Sequence, residues 1–274
     1  MAGHHGPVVL WALLLLFPVP VAVHARPKAR ATVAGIVAQI VRADYEGDRA
    51  ALKRLHGVLA SLELTGAEEN FASRVHYWRG FALWRRTLNG FNESADRREL
   101  GRDLEQALLD FETSARRDPG FVDARIGTIG CLQSLTFLNL DDPARVQDLV
   151  SRFVELFKET RREAPENPRL LWLLGASEWY NPPEHGGGRE RALETYARGV
   201  RLARQQKGTV KDPLEPSWGE AELLMSLAWS RLNQTPPDLS AAEEHAKDAL
   251  ALVPYWHYVR DLLMPQIQKA RIAP

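Results

Sequence analysis

A single cysteine, Cys131, stands among 274 residues. No intramolecular disulfide can therefore staple the fold, and no paired-thiol zinc or redox site can form. Net charge is missing as well, because Lys and Arg number 35 and Asp and Glu also number 35. Without a basic excess, no global positive field holds the chain on DNA, RNA or anionic lipid. Positions 1–25 lack charged residues altogether. No stretch shows the sustained period-two alternation, rich in Val, Ile and Thr, that strands require. Catalytic signatures are absent too. The later histidines, His56, His76, His185, His245 and His257, form no HExxH motif and none stand four apart, so a helical zinc site has no ligands. There is no Gly-x-Ser-x-Gly turn. An enzyme is not implied, and neither is a cofactor.

Two glycine-bearing segments invite a functional reading and fail it. Asp44-Tyr45-Glu46-Gly47-Asp48 is rich in carboxylates, but a calcium loop needs glycine sixth and a bidentate Glu twelfth. Counted from Asp44, glycine comes fourth and Leu55 twelfth. A helix end followed by an N-cap accounts for these acids. Gly186-Gly187-Gly188 precedes a helix, yet it lacks the Lys-Ser/Thr and the leading strand of a phosphate loop. It reads as a connector. Cys131, alone, reads as a buried small hydrophobe.

What is present begins with an export signal. Val8 to Val23 is almost unbroken apolar, interrupted by Pro18 and Pro20. Val23-His24-Ala25 then places small residues where a signal peptidase reads, which puts cleavage before Arg26. An uncleaved membrane anchor is the competing reading. The first seven residues carry His4 and His5 in place of the usual Lys or Arg, and no Cys follows for lipid attachment. The chain is expected in the periplasm or outside the cell, with no other membrane contact. Asn92-Glu93-Ser94 and Asn233-Gln234-Thr235 match the glycosylation pattern, which would count only in a eukaryotic secretory pathway.

Beyond Arg26 the pattern is helical, and hydrophobics at 45% supply a core. Val33, Ile36, Val37, Ile40 and Val41 fall on one stripe, and Leu52, Leu55, Leu59 and Leu62 on another. Further helices are predicted over 67–89, 97–117, 121–139, 144–163, 168–180, 189–206, 217–232, 239–252 and 255–271. Prolines at 119, 143, 165, 168, 182, 183, 213, 216, 236, 237 and 254 separate them. The fold class is all-α.

The hairpins resemble one another. Ala107, Phe111 and Pro119 reproduce the A-x3-F-x7-P spacing of a tetratricopeptide repeat. Ala242, Ala246, Ala249 and Pro254 keep that spacing, Ala192, Tyr196 and Gly199 form a third copy, and Phe153, Phe157 and Pro165 a divergent fourth. First-helix signatures accompany them at Gly80, Leu174-Gly175 and Met225-Ser226, each followed by Trp84, Trp179 or Trp229. The chain resembles the tetratricopeptide-repeat (TPR) family over 67–254, between an N-terminal hairpin at 26–66 and a C-terminal capping helix at 255–274. The resemblance implies a right-handed superhelical solenoid of antiparallel hairpins. Gly80 and Ala107 stand 27 residues apart, where the family has about 12 within its repeat of about 34 residues, so residues 89–97 form a longer loop or extend the helices. Arg79 and Glu178 occupy positions the family keeps apolar. The segment from Asn181 to Leu193 is further similar to exported bacterial repeat proteins, including the T component associated with TRAP transporters.

In that family the concave groove is lined by positions 2, 5, 9 and 12 of the first helices. Carried onto this chain, these are Arg74, Tyr77, Phe81 and Trp84, then Arg169, Trp172, Ala176 and Trp179. Each set offers an Arg beside aromatics, suited to a peptide or a carboxylate-bearing ligand. The alternative is that these rings fill interhelical core. The expected role is a non-enzymatic scaffold for a protein or peptide partner. A small-molecule-binding accessory of an envelope transport system is the alternative, and self-association through a solenoid face stays open.

Overall fold

A computed structural model describes residues 27–272. The expected signal segment and its cleavage point lie outside them. Among the described residues there are no strands, and eleven α-helices follow one another. They are α1 (Pro27–Glu46), α2 (Arg49–Ala60), α3 (Glu69–Asn92), α4 (Arg97–Arg117), α5 (Val122–Leu138), α6 (Pro143–Glu163), α7 (Pro168–Tyr180), α8 (Arg189–Gln206), α9 (Glu220–Asn233), α10 (Leu239–Leu252) and α11 (Met264–Ile272). No helix among the described residues is long and apolar enough to cross a membrane.

Local chemistry sets the helix starts. Asp48, Asp96, Asp142 and Asp238 each accept a backbone N–H from the first turn that follows, and Asn167 does the same for α7. These caps satisfy amides that have no partner inside the helix. Pro143 and Pro168 sit at the first helical position, where a missing N–H costs nothing. The two prolines thus open helices as well as separating them.

The helices pack as consecutive antiparallel hairpins. Odd-numbered helices touch in series from α1 through α3, α5 and α7 to α9, while α4 bridges α3 and α5 and α8 bridges α7 and α9. Odd helices form the inner layer: α3 is buried along most of its length, whereas α6 buries only Leu149 and Thr160. The architecture is a TPR-like all-α solenoid.

The repeat residues interlock across each hairpin. A Cβ on Gly80 would stand 3.0 Å from the Phe111 ring, and one on Gly175 would stand 2.4 Å from Tyr196. Only glycine lets the aromatic of the second helix rest on the backbone of the first. In the last hairpin Ala242, Ala246 and Ala249 are fully buried. Arg79 and Glu178, at positions the family keeps apolar, make polar pairs across the same seams. Arg79 lies 3.1 Å from Asp110, and Glu178 accepts from Arg191 at 2.9 Å and Thr195 at 2.5 Å. The extra residues between Gly80 and Ala107 lengthen the helices: α3 runs 24 residues and α4 runs 21, joined through residues 93–96.

The row curls until its ends meet. Tyr45, at the end of α1, packs edge-on against Trp256 at 5.0 Å, and the Arg42 guanidinium lies 5.2 Å from the Tyr255 ring. Val259, Leu263 and Ile267 cover the last apolar face and are fully buried, while Arg260, Asp261, Gln266 and Lys269 face water. Tyr258–Leu263 is π-helical immediately before Pro265. The wider turn relieves the clash that a proline ring makes with the carbonyl four residues earlier.

Candidate functional site

The concave layer is not an open groove from end to end. At the N-terminal ends of α3, α5 and α7 the chain's own loop, 207–219, enters it. Trp78 donates its indole N–H to the Leu214 carbonyl at 2.8 Å, and Trp218 donates its own to the Tyr77 hydroxyl at 2.9 Å. Leu214 is fully buried. The Trp218 ring lies 5.6 Å from Phe81, 5.9 Å from Trp84 and 5.7 Å from Trp172.

The two expected ligand-binding arginines are engaged inside the protein. Arg74 donates to Asp118 and to Glu215, both at 2.7 Å, and its guanidinium lies 3.6 Å from the Phe121 ring. Arg169 donates to Asp123 at 2.9 Å and to the Trp218 carbonyl at 3.2 Å. Burial alone would lower the Arg169 pKa, but Asp123 raises it and keeps the guanidinium charged. Tyr77 and Phe81 are buried. Arg74, Tyr77, Phe81 and Arg169 thus hold the loop in place; they do not face solvent as an open binding surface would require.

The other three expected residues have a different setting. Trp84, Trp172 and Trp179 line a cavity of about 530 Å³ at the C-terminal ends of the same inner helices, together with Trp229 and Tyr258. Ala176 lines it as well. Trp179 and Trp229 meet edge-on at 5.4 Å, as do Trp84 and Trp172 at 6.0 Å. Phe137 and Tyr180 stand at the rim, 63% and 78% exposed. Trp172 donates its N–H to Ser226 at 2.9 Å, which fixes that ring. With one end stopped by Trp218 and the other open, the inner face forms a cup.

Beside the floor lies a buried ionic cluster. Arg85 meets Asp44 at 2.7 Å and Glu222 at 3.4 Å, so α1, α3 and α9 are tied at one point. Tyr45 donates to Glu222 at 2.8 Å, Asn89 to Asp44 at 3.1 Å, and the Gly219 amide to Glu222 at 2.9 Å. Burial raises the Asp44 carboxyl above its ordinary pKa, with Arg85 opposing that shift. Burial would lower the pKa of Arg85, but the two carboxylates more than reverse this and the guanidinium stays charged. The Tyr45 hydroxyl is pushed up by burial and remains a donor. Asp48 acts as the N-cap expected of this segment, while Asp44 and Tyr45 belong to the interior.

Other singled-out residues are structural. Cys131 is buried, and burial pushes its thiol pKa up. Gly188, at φ +116°, gives its amide to the Glu178 carbonyl and thereby starts α8. Among the described residues no group of three or more His, Cys, Asp or Glu is placed to hold a metal.

No protein-family model matches the sequence, and no curated protein matches it. Solved structures do. The HusA haemophore from Porphyromonas gingivalis is similar, with a TM-score of 0.57 and 18% identity, covering 77% of this chain and 97% of that one. A thermophilic TPR protein from Thermus thermophilus has a TM-score of 0.48 and 14% identity over 90% and 99% of the two chains. The likeness to the haemophore is one of fold.

Sequence reasoning missed Arg85, Glu222, Trp218 and the rim residue Phe137. A signal for Trp218 was available: a proline-flanked loop carrying Leu214 and Trp218 has apolar surface to bury. Arg85 and Glu222 left no comparable trace, because their partners lie on other helices.

Proposed function

We propose that the protein is a non-enzymatic binding protein that takes a planar, largely apolar small molecule into the aromatic cup. The observation that carries this reading is the stopped groove. Loop 207–219 removes the path an extended peptide would follow and leaves a blind cavity walled by indole rings. At about 530 Å³ the cavity lies within the 300–1,000 Å³ range of small-molecule sites. Indole faces and edges suit a flat ring system, which they contact through stacking and edge-on geometry. The haemophore's name associates this fold with a planar tetrapyrrole, so haem is one ligand to test. Export belongs to the same proposal, with residues 1–25 directing the chain to the periplasm or outside the cell.

Titration with the uncharged fluorophore N-phenyl-1-naphthylamine, and separately with haemin, tests the reading. Saturable binding to the wild type, lost in Trp172→Ala/Trp229→Ala with helix content retained, supports it. No saturable binding of either compound defeats it. The amino terminus of the protein recovered from its native host should begin at Arg26 if the export reading holds.

A further inference from the structure

The inner helices that end at the cup lack basic residues where the outer helices have them. The last turns of α3, α5 and α7 contain no Lys, Arg or His. The outer helices alternating with them carry Arg116 and Arg117 on α4, Arg161 and Arg162 on α6, and Arg204 on α8. Carbonyls without a partner inside the helix give a last turn partial negative charge, which a cation there answers. Asn89, Phe91 and Asn92 of α3, Phe137 of α5, and Trp179 and Tyr180 of α7 bring these turns to the cavity. Arg97 reaches the Leu138 carbonyl at the end of α5, but it is paired with Asp141.

The fixed charges beside the cavity lean the same way. Among the described residues that line it, Asp44 is the single acid and Arg85 the single base. Glu222 stands behind them, so that two carboxylates face one guanidinium. Arg189, beside the Trp179 ring, and Arg231, in the last turn of α9, are outside the lining. An anion entering the cup would meet helix ends and carboxylates of its own sign in a site poorly screened by water.

The wall supplies a third attraction of the same sign. Trp172, Trp229 and Tyr258 are half-buried and line the cavity. Trp172 spends its N–H on Ser226, which leaves its ring as the surface it offers. Aromatic faces attract cations through their quadrupole. These rings already do so within the chain: the Arg85 guanidinium lies 5.7 Å from the Trp172 ring, and that of Arg189 lies 5.2 Å from Trp179.

Building on the small-molecule reading above, we infer that the cup selects planar aromatic cations, such as N-alkylated quinolinium or acridinium rings, over neutral and anionic rings of the same shape. The flat body lies among Trp172, Trp179 and Trp229, with its charge toward the ends of α3 and α7. This reverses the sign of the ligand charge expected from the sequence. Both arginines on which that expectation rested are spent on Asp118, Glu215 and Asp123.

Three bicyclic probes of similar shape test the inference by calorimetry on the full chain: N-methylquinolinium, the neutral N-methyl-2-quinolone and the anion 1-naphthoate. The cation is expected to bind about tenfold more tightly than the quinolone, the increment of a cation resting on aromatic faces in a desolvated site. The naphthoate should bind most weakly. Asn92 is exposed, and its side chain bonds only the Leu88 carbonyl of its own helix, at 3.4 Å. Asn92→Lys therefore gives α3 the basic last turn it lacks without disturbing the core. It should lower the ratio of quinolinium to quinolone affinity severalfold below that of Asn92→Gln. Binding of the quinolone or the naphthoate at least as tight as that of the cation, or equal ratios in the two Asn92 variants, overturns the inference while leaving the cup as the binding site. Failure of all three probes to bind overturns the cup reading and this inference with it.

Discussion

Trp218 reaches back 141 residues to donate its indole N–H to the hydroxyl of Tyr77. Through this bond a loop between α8 and α9 becomes part of the inner surface of α3, and a groove becomes a cup. The loop's hold should be measurable. Trp218→Phe keeps most of the packing and loses the hydrogen bond, and should cost about 0.5–1.5 kcal/mol. Trp218→Ala also empties the space among Phe81, Trp84 and Trp172, and should cost about 3–5 kcal/mol. Urea denaturation followed by far-ultraviolet circular dichroism separates the two. Equal costs would mean that the loop does not rest on the indole.

The repeat interlock makes a second, opposite pair of predictions. A Cβ at position 175 would stand 2.4 Å from the Tyr196 ring, whereas one at position 35 would meet nothing within 4 Å. Gly175→Ala must push α7 and α8 apart or move Tyr196, at a cost of about 1–3 kcal/mol. Gly35→Ala lies within α1 and should stabilise by up to about 1 kcal/mol through helix propensity. Thermal melts of the two variants should therefore move in opposite directions from the wild type.

Most of the architecture was readable because its determinants are local. The stripe from Val33 to Ile40, the caps at Asp48 and Asp142, and the small-aromatic pair Gly80 and Phe111 lie within one hairpin or one helix turn. The site was readable only in part. Trp84, Trp172 and Trp179 follow from family register and do line the cavity. The last turns of α3 carry Leu88, Asn89 and Phe91 to the cup. What stops the cup, and Glu222 as one of the two carboxylates that balance Arg85, come from residues more than 130 positions away in the chain. No periodicity encodes such meetings. They arise because the solenoid curls far enough for α9 to reach α1.

Arg85 therefore carries a third prediction. Replacing it by Met leaves Asp44 and Glu222 buried together without a cation, and breaking a buried pair in this way costs about 3–5 kcal/mol. Asp44→Asn leaves Arg85 one carboxylate and should cost less. Burial already raises the Asp44 pKa in the fold. A group raised in this way contributes stability at low pH that is lost as pH rises through its folded value. The Arg85→Met protein should thus recover part of its lost stability on acidification from pH 7 toward pH 5. A deficit that stays constant over that range would show that the carboxylates are not its cause.

Asp110 should behave with the opposite sign. It sits on α4 with His56 at 3.5 Å, His76 at 3.3 Å, Arg79 at 3.1 Å and Gln106 at 3.3 Å around it. Burial would raise its pKa, yet the hydrogen bonds from His56 and His76 and the Arg79 charge outweigh burial and hold it at about 2. Its ordinary value is 3.8, so the unfolded chain takes up the proton first as acid is added. The stability that ionised Asp110 contributes is fully present above about pH 4 and drains away as the pH falls toward 2. Asp110→Asn removes that contribution at neutral pH and flattens the acid limb of the stability curve. Urea midpoints measured from pH 7 down to pH 2 should converge for wild type and variant at the acid end, and parallel curves would exclude Asp110 as the titrating group.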